Sequence, residues 1–233
     1  MYSSQLNYFP LALPFFFLLA GFFLVLVILV QVHVLHFAYM RLGISSRAAF
    51  LLLVASLLGS YVNIPVAQLP EQEILSNQEI GFFGMRYVVP TVVDWPGTII
   101  AVNVGGAVIP GLLSLYLLAK HKLWTRGLIA TACVALFCHL LAQPVPGVGI
   151  AIPTFAPPFI TAIVALVIAE TNIAAIAYIS GSIGTLIGAD LLNLDKLQSL
   201  GAPVASIGGA GTFDGIFLTG ILAVLLASFS FRK

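Results

Sequence analysis

The chain has 233 residues, 61% of them hydrophobic and 7% charged, with a formal net charge of +1 and a mean hydropathy of +1.12. A soluble domain carries about 25% charged residues, so there are too few charges here to build a water-facing surface, and lipid is the expected solvent for most of the polypeptide. The near-neutral balance argues against a nucleic-acid partner, because no basic patch exists to neutralise phosphates.

An all-α integral membrane protein follows. Each crossing of the roughly 30 Å hydrocarbon core takes about 20 apolar residues, and hydropathy marks seven spans in one polytopic domain. The first runs from about Leu11 to Tyr39, with Pro14 in its first turns. The N-terminus has no basic residue and the apolar run is long, so this segment is expected to stay as a transmembrane helix rather than be removed as a signal peptide. Ser45 and Ser46 can cap the second span, which runs to about Val62 and ends near Pro65. Then comes the one polar stretch, PEQEILSNQEIGFFGMRYVVPTVVDWPG. It lies within an expected extramembrane insertion over residues 63–102. Its second half alternates and is β-rich around Asp94-Trp95-Pro96-Gly97, a strong turn signal. A β-hairpin or extended flap is expected, with Asp94 as its turn residue.

The third span starts in the glycines of VNVGGAVIP and ends at Lys120, and the fourth runs from about Leu123 to Ala142. The next segment, QPVPGVGIAIPTFAPP, holds prolines and glycines that forbid a regular helix. A short fifth span follows from about Phe159 to Ala169. Glu170-Thr171-Asn172 then breaks the apolar run as an interhelical turn, and the sixth span continues to about Leu192. A further extended segment, LGAPVASIGGAGTFDG, leads into the seventh, from about Ile216 to Phe231. The cysteines Cys133 and Cys138 are five apart in an apolar run, point to different faces and read as small core residues.

Charge orients this arrangement. With the N-terminus outside, Arg41, Arg47, Lys120, Lys122, Arg126, Arg232 and Lys233 fall inside, and only Arg86 and Lys196 fall outside. That is the positive-inside pattern of a multi-pass protein of the cytoplasmic membrane, N-out and C-in. The carboxylates of Glu71, Glu73, Glu79, Asp94, Asp190, Asp195 and Asp214 fall on or near the outer side.

Three helices on the outer side are each preceded by Gly- and Pro-rich backbone too apolar for an ordinary loop. PGTIIAVNVGGAVIPGLLSLYLLAK and PGVGIAIPTFAPPFITAIVALVIAE both open with Pro-Gly, and ASIGGAGTFDGIFLTGI repeats the apolar-Gly-Gly-Ala element of Val104 to Ala107. Non-helical backbone at membrane depth survives only where protein buries it or water lines it. Such segments in solute-handling proteins often begin half-helices whose free N–H groups and carbonyls make binding sites. The alternative is a set of tight external loops in which glycine serves close helix contact.

Beside these segments stand the candidate ligand residues. Asp190 lies in GTLIGADLLNL and Asp214 in GGAGTFDGIFLTG. Each acid is surrounded by glycine, Gly208 and Gly209 among them, which lets backbone or a ligand approach closely. Asp214 also fits a first-turn acid on the last helix, and Asp190 an interfacial residue bonded to Asn193 or a loop amide. Asn103 and Asn193 are amides in apolar runs that serve either as ligands or as helix-to-helix ties. His33 and His36 share a face of the first span and His139 sits on the fourth, without another strong ligand placed near them. No Walker loop, dinucleotide fingerprint, HExxH or GxSxG is present, which removes ATP-driven transport by this chain alone and the common hydrolases. Whether a metal, haem iron at the His33–His36 pair or another cofactor is bound is not legible in the sequence.

GSIGTLIGADLLNL, followed by GAPVASIGGAGTFDGIFLTGI, resembles the signature of a prokaryotic family of small polytopic membrane proteins catalogued only as a domain of unknown function. IAVNVGGAVIP around Asn103 is similar to it too, and the resemblance covers most of the chain after about Gly81. It implies a fold family and no activity, and Asp190, Asn193, Thr212 and Asp214 are the positions it carries over. A weaker resemblance is to intramembrane aspartyl proteases. Gly188-Ala189-Asp190 lacks their glycine directly before the aspartate, and Pro203-Val204-Ala205 follows too soon to act as their proline motif.

The leading expectation is therefore a membrane protein that binds or translocates a small solute or cation. Its site is an outward-facing cup holding Asp190, Asp214, Asn193, Thr212, Asn103, Gly208 and Gly209, with carboxylates and carbonyls as hard-cation ligands. An aspartyl hydrolase using Asp190 and Asp214, and a non-catalytic membrane assembly partner, are the two competing classes. Oligomeric state is not legible in the sequence.

Overall fold

The computed structural model describes residues 21–25, 42–70, 72–82, 85–95, 97–145, 149–200, 203–209 and 215–229. Within them the protein is mostly helical. Helix stands in each of the seven expected spans, although only residues 21–25 of the first are described. The helices are α1 (Ser46–Gly59), α2 (Ile109–His121), α3 (Trp124–Leu141), α4 (Ala156–Ile168), α5 (Ile173–Thr185) and α6 (Gly215–Phe229). Among the described residues three continuous helical stretches are long and apolar enough to cross a membrane: Val104–His121, Trp124–Leu141 and Ile173–Leu197.

Local chemistry sets the helix starts. Ser45 caps α1, its hydroxyl accepting from the Ala48 amide at 3.4 Å. Pro157 and Pro158 open α4 in the first turn, where a missing N–H costs nothing and the fixed φ suits a helix. With 13 residues, α4 reaches about 20 Å at 1.5 Å per residue. Asn172 turns the chain between α4 and α5 in a left-handed conformation, φ 56°, so the break expected at Glu170-Thr171-Asn172 is present.

The centre of the bundle is α5. Every residue from Ala174 to Ser182 is buried on it, and α2, α3, α4 and α6 all pack around it. Alanine, serine and glycine dominate its surface, which lets four neighbours approach at once. Beside an apolar core, hydroxyl side chains are buried and large apolar side chains face outward. Ser56, Ser114, Thr131, Thr161, Ser180, Ser182, Thr185 and Thr219 are buried, while Leu112, Leu128, Leu136, Leu140, Ile163 and Val167 stand exposed on α2, α3 and α4, Val167 at 80%. A monomer in water rarely exposes so broad an apolar surface.

The strands gather at one end of the bundle. β1 (Asn63–Gln68), β4 (Ile99–Asn103) and β7 (Val204–Ile207) form a three-stranded sheet with β4 in the middle. β1 runs antiparallel to β4 with an irregularity between Pro65 and Ala67. β7 runs parallel to β4, from Ile99↔Val204 to Val102↔Ile207. Helix α1 stops at Gly59, short of the expected Val62, because the chain beyond it is recruited to this sheet: the Val104 amide donates to the Val62 carbonyl at 3.0 Å. A second antiparallel pair, β5 (Gln143–Val145) and β6 (Gly149–Ala151), lies before α4.

One expectation is corrected. β2 (Gln72–Phe82) and β3 (Met85–Trp95) do form a hairpin, but its ladder closes on Phe82↔Met85 and runs out to Gln72↔Trp95. Asp94 pairs with Glu73 near the open end, so Asp94-Trp95-Pro96-Gly97 leads the chain out toward β4 and Asp94 is not the hairpin turn residue. The turn signal there is strong in the sequence, yet strand register over eleven pairs decides where the hairpin folds back.

Candidate functional site

Two strand-to-helix junctions stand side by side because β4 and β7 are parallel neighbours. After β4 the chain enters one π-helical turn, Val104–Val108, that continues as α2. After β7 it turns at Gly208 and Gly209, with φ of 92° and 89°, values that side chains rarely adopt. The two junctions touch through backbone: a Cβ added to Gly106 would run into the Gly208 carbonyl oxygen. The Gly-Gly elements that look alike in the sequence are thus adjacent in space, although β-pairing aligns Val102, and not Val104, with Ile207.

Asp190 reaches this junction from the other side. It ends a second π-helical turn, Leu186–Asp190, which prolongs α5 and passes into a 3-10 helix, Leu191–Leu200. Single π turns inside helices are rare and recur at functional sites. The Asp190 carboxylate is partly buried, and its Oδ2 accepts a 2.7 Å hydrogen bond from the Gly208 amide. A carboxylate therefore meets the positive-φ turn that leads toward α6.

Both candidate asparagines spend their amides on the protein. Asn103 is fully buried; its Nδ2 donates to the Ser60 carbonyl at 2.8 Å and to Asn63 Oδ1 at 3.1 Å, and its Oδ1 accepts from the Gly106 amide at 2.8 Å. It thereby ties the end of α1, β1 and the first π turn together. Asn193, also fully buried, donates to the Gly188 and Ala189 carbonyls at 2.9 Å each and accepts from Lys196 Nζ at 2.7 Å. Its donors close the second π turn, which frees carbonyls that an α-helix would have used.

Several residues of this region escape a local reading of the sequence. Ser206 places its hydroxyl 2.7 Å from Asn63 Oδ1 and 2.6 Å from the Gly209 carbonyl, so one proton is offered to two acceptors. Ser56 donates to the Gly105 carbonyl. Asn63 faces Asn103 only because β1 and β4 pair in that register. No neighbouring residue signals that pairing, which joins positions forty apart.

The segment between α3 and α4 also approaches: β5 and β6 pack against the 3-10 helix that carries Asn193, and β6 against the second π turn. The structure thus brings Asp190, Asn193, Asn103, Gly208 and Gly209 to one end of the bundle. Thr212 and Asp214 lie outside the described residues, as do His33 and His36, so the Asp190–Asp214 pairing is not defined. Among the described residues no cluster of three or more His, Cys, Asp or Glu side chains is placed to hold a metal ion.

At the opposite end, Lys120 Nζ donates to the Gly43 carbonyl at 2.6 Å, and Arg126 pairs with Glu170 at 2.6 Å. The connections around residues 42–47, 120–126 and 169–172 therefore share one end, remote from Asp190.

Comparison with known proteins found no match among curated proteins and none among solved structures. A family model described as "Protein of unknown function (DUF1614)" matches residues 57–226. The matched span reaches further toward the N-terminus than the resemblance after Gly81 and takes in both π turns, the three-stranded sheet and Asp190. Matched from the end of α1 into α6, the chain belongs to this family of unknown function.

Proposed function

We propose that the protein is a multi-pass protein of the cytoplasmic membrane, N-terminus outside and C-terminus inside, that binds a small solute or cation at its strand-bearing end. Support for the membrane setting is the exposed apolar surface of α2, α3 and α4 around a core in which hydroxyl side chains are buried beside apolar ones. Support for the orientation is the collection of Arg47, Lys120, Lys122 and Arg126 at the end away from the sheet, which is the cytoplasmic end by the positive-inside rule.

The observation that carries the site is the contact between Asp190 and Gly208 at the junction of two strand-to-helix turns. Irregular backbone within a membrane protein persists where it is packed in protein or lines a wet cavity, and here it surrounds an acid. Carboxylate and carbonyl oxygens together are the ligand set of a hard cation. In this reading Asn103 and Asn193 position backbone, while Asp190 and the carbonyls around Gly208 and Gly209 meet the ligand.

The test is a thermal-shift and calorimetric screen of the purified full chain against Na⁺, K⁺, Mg²⁺, Ca²⁺ and Mn²⁺. Asp190→Asn and the Asp190→Asn/Asp214→Asn pair serve as the comparison. A cation that stabilises the parent protein and loses its effect in Asp190→Asn supports the site; equal binding by parent and variants places it elsewhere.

A further inference from the structure

The end of the bundle remote from Asp190 carries an unbalanced positive charge. Arg47, Lys120, Lys122 and Arg126 stand there with one carboxylate among the described residues, Glu170. Two of these cations are occupied: Arg126 with Glu170 at 2.6 Å, and Lys120 with the Gly43 carbonyl at 2.6 Å and the Tyr116 ring, 5.3 Å from its centroid. Arg47, in the first turn of α1, and Lys122, in the link between α2 and α3, are exposed, and the side chain of neither has a hydrogen-bond or ion-pair partner among the described residues.

Lys122 is also conformationally expensive. It caps α2 with φ 53° and ψ 41°, the left-handed position usually filled by glycine. A side chain with a Cβ is disfavoured in that region, so backbone geometry alone does not favour lysine here. Two half-exposed aromatics flank the same link, Tyr116 at 51% and Trp124 at 50%. Amphipathic rings of this kind settle at headgroup level in a bilayer.

We propose that this end is a docking surface for anionic phospholipid headgroups, with Arg47 and Lys122 as the cations that meet lipid phosphate. The inference rests on the membrane reading above. Charge complementarity selects the occupant: juxtamembrane cations attract acidic lipids and have no comparable preference for zwitterionic ones.

The test uses the full chain with Trp95→Phe, which leaves Trp124 as the only tryptophan, reconstituted in phosphatidylcholine vesicles. Either brominated phosphatidylglycerol or brominated phosphatidylcholine is included, and quenching of Trp124 reports which lipid lies beside it. Phosphatidylglycerol is expected to be favoured by at least about fivefold, the effect of one cation near an anionic surface. The preference disappears in Arg47→Gln/Lys122→Gln, while quenching by brominated phosphatidylcholine stays unchanged and shows the double variant to be folded and inserted. Equal quenching by the two lipids in the parent, or an undiminished preference in the double variant, overturns the inference and leaves the membrane reading intact. Quenching by neither lipid overturns both.

Discussion

The Gly208 amide donates a 2.7 Å hydrogen bond to Oδ2 of Asp190, joining the π turn that ends α5 to the glycine turn that follows β7. The carboxylate thus has a structural duty beside the ligand-binding one proposed for it, and the two are separable by substitution. Asp190→Asn keeps an oxygen able to accept from Gly208 and is expected to hold stability within about 1 kcal/mol of the parent. Asp190→Ala leaves a partly buried amide without its partner and is expected to cost about 1–3 kcal/mol. Thermal midpoints in one detergent check the difference, and equal midpoints for the two variants would show that the amide does not depend on this carboxylate.

Asn103 joins three segments with a single side chain. Asn103→Ala removes three hydrogen bonds at a position with no exposure and strands the Ser60 carbonyl and the Gly106 amide. The expected loss is about 3 kcal/mol, on the order of 10 °C in the midpoint for a chain of this size. A fall of only a degree or two would mean that the β1–β4 junction holds without this tie.

Two glycines of the same helical stretch make a matched pair. Alanine at Gly106 meets the Gly208 carbonyl, whereas alanine at Gly111 meets nothing within 4 Å. Gly111→Ala is expected to stabilise α2 by up to about 1 kcal/mol through helix propensity, and Gly106→Ala to abolish a stable fold or force the two junctions apart. Midpoints and size-exclusion profiles of both variants decide the matter. If Gly106→Ala behaves as Gly111→Ala does, the close approach of the junctions is wrong.

Orientation is accessible to chemistry. In a background with Cys133→Ala and Cys138→Ser, single cysteines at Lys122 and at Asp195, both exposed, are expected to react with a membrane-impermeant maleimide from opposite sides. Asp195→Cys labels in intact cells and Lys122→Cys only after permeabilisation. The reverse pattern would invert the topology, and labelling of both in intact cells would place both ends outside.

Most of the helical frame is legible from apolar runs and their punctuation. Ser45 and Asn172 each mark a boundary by local chemistry that survives in the fold, whereas Pro157 and Pro158, expected in non-helical backbone before a span from Phe159, lie in the first turn of α4, where proline is tolerated. What escapes is pairing between distant segments. VNVGGAVIP and ASIGGAG announce irregular backbone, but nothing in either says that their strands lie parallel, or that the loop amide expected to meet Asp190 is that of Gly208. The hairpin shows the same limit from the other side: Asp94-Trp95-Pro96-Gly97 carries the stronger local turn signal, yet eleven cross-strand pairs place the fold-back beyond Phe82. Asn103 and Asn193 are conspicuous as polar residues in apolar runs. Asn103 is a tie between distant segments, through Ser60 and Asn63, whereas Asn193 bonds within its own helical stretch, to Gly188 and Ala189, and is not the helix-to-helix tie expected of it.

The central strand of the sheet has a consequence for biosynthesis. β4 is matched on one side by β1, made before it with the β2–β3 hairpin in between, and on the other by β7, made about a hundred residues later. At 5–20 residues per second, its second edge waits roughly 5–20 s for a partner while α2 to α5 are being synthesised. An open strand edge is a template for any extended chain nearby, so the nascent protein has an interval in which Ile99–Asn103 must be shielded by the insertion machinery or by the helices already in place. The last strand to emerge closes that edge, and only then does Gly208 come within reach of Asp190.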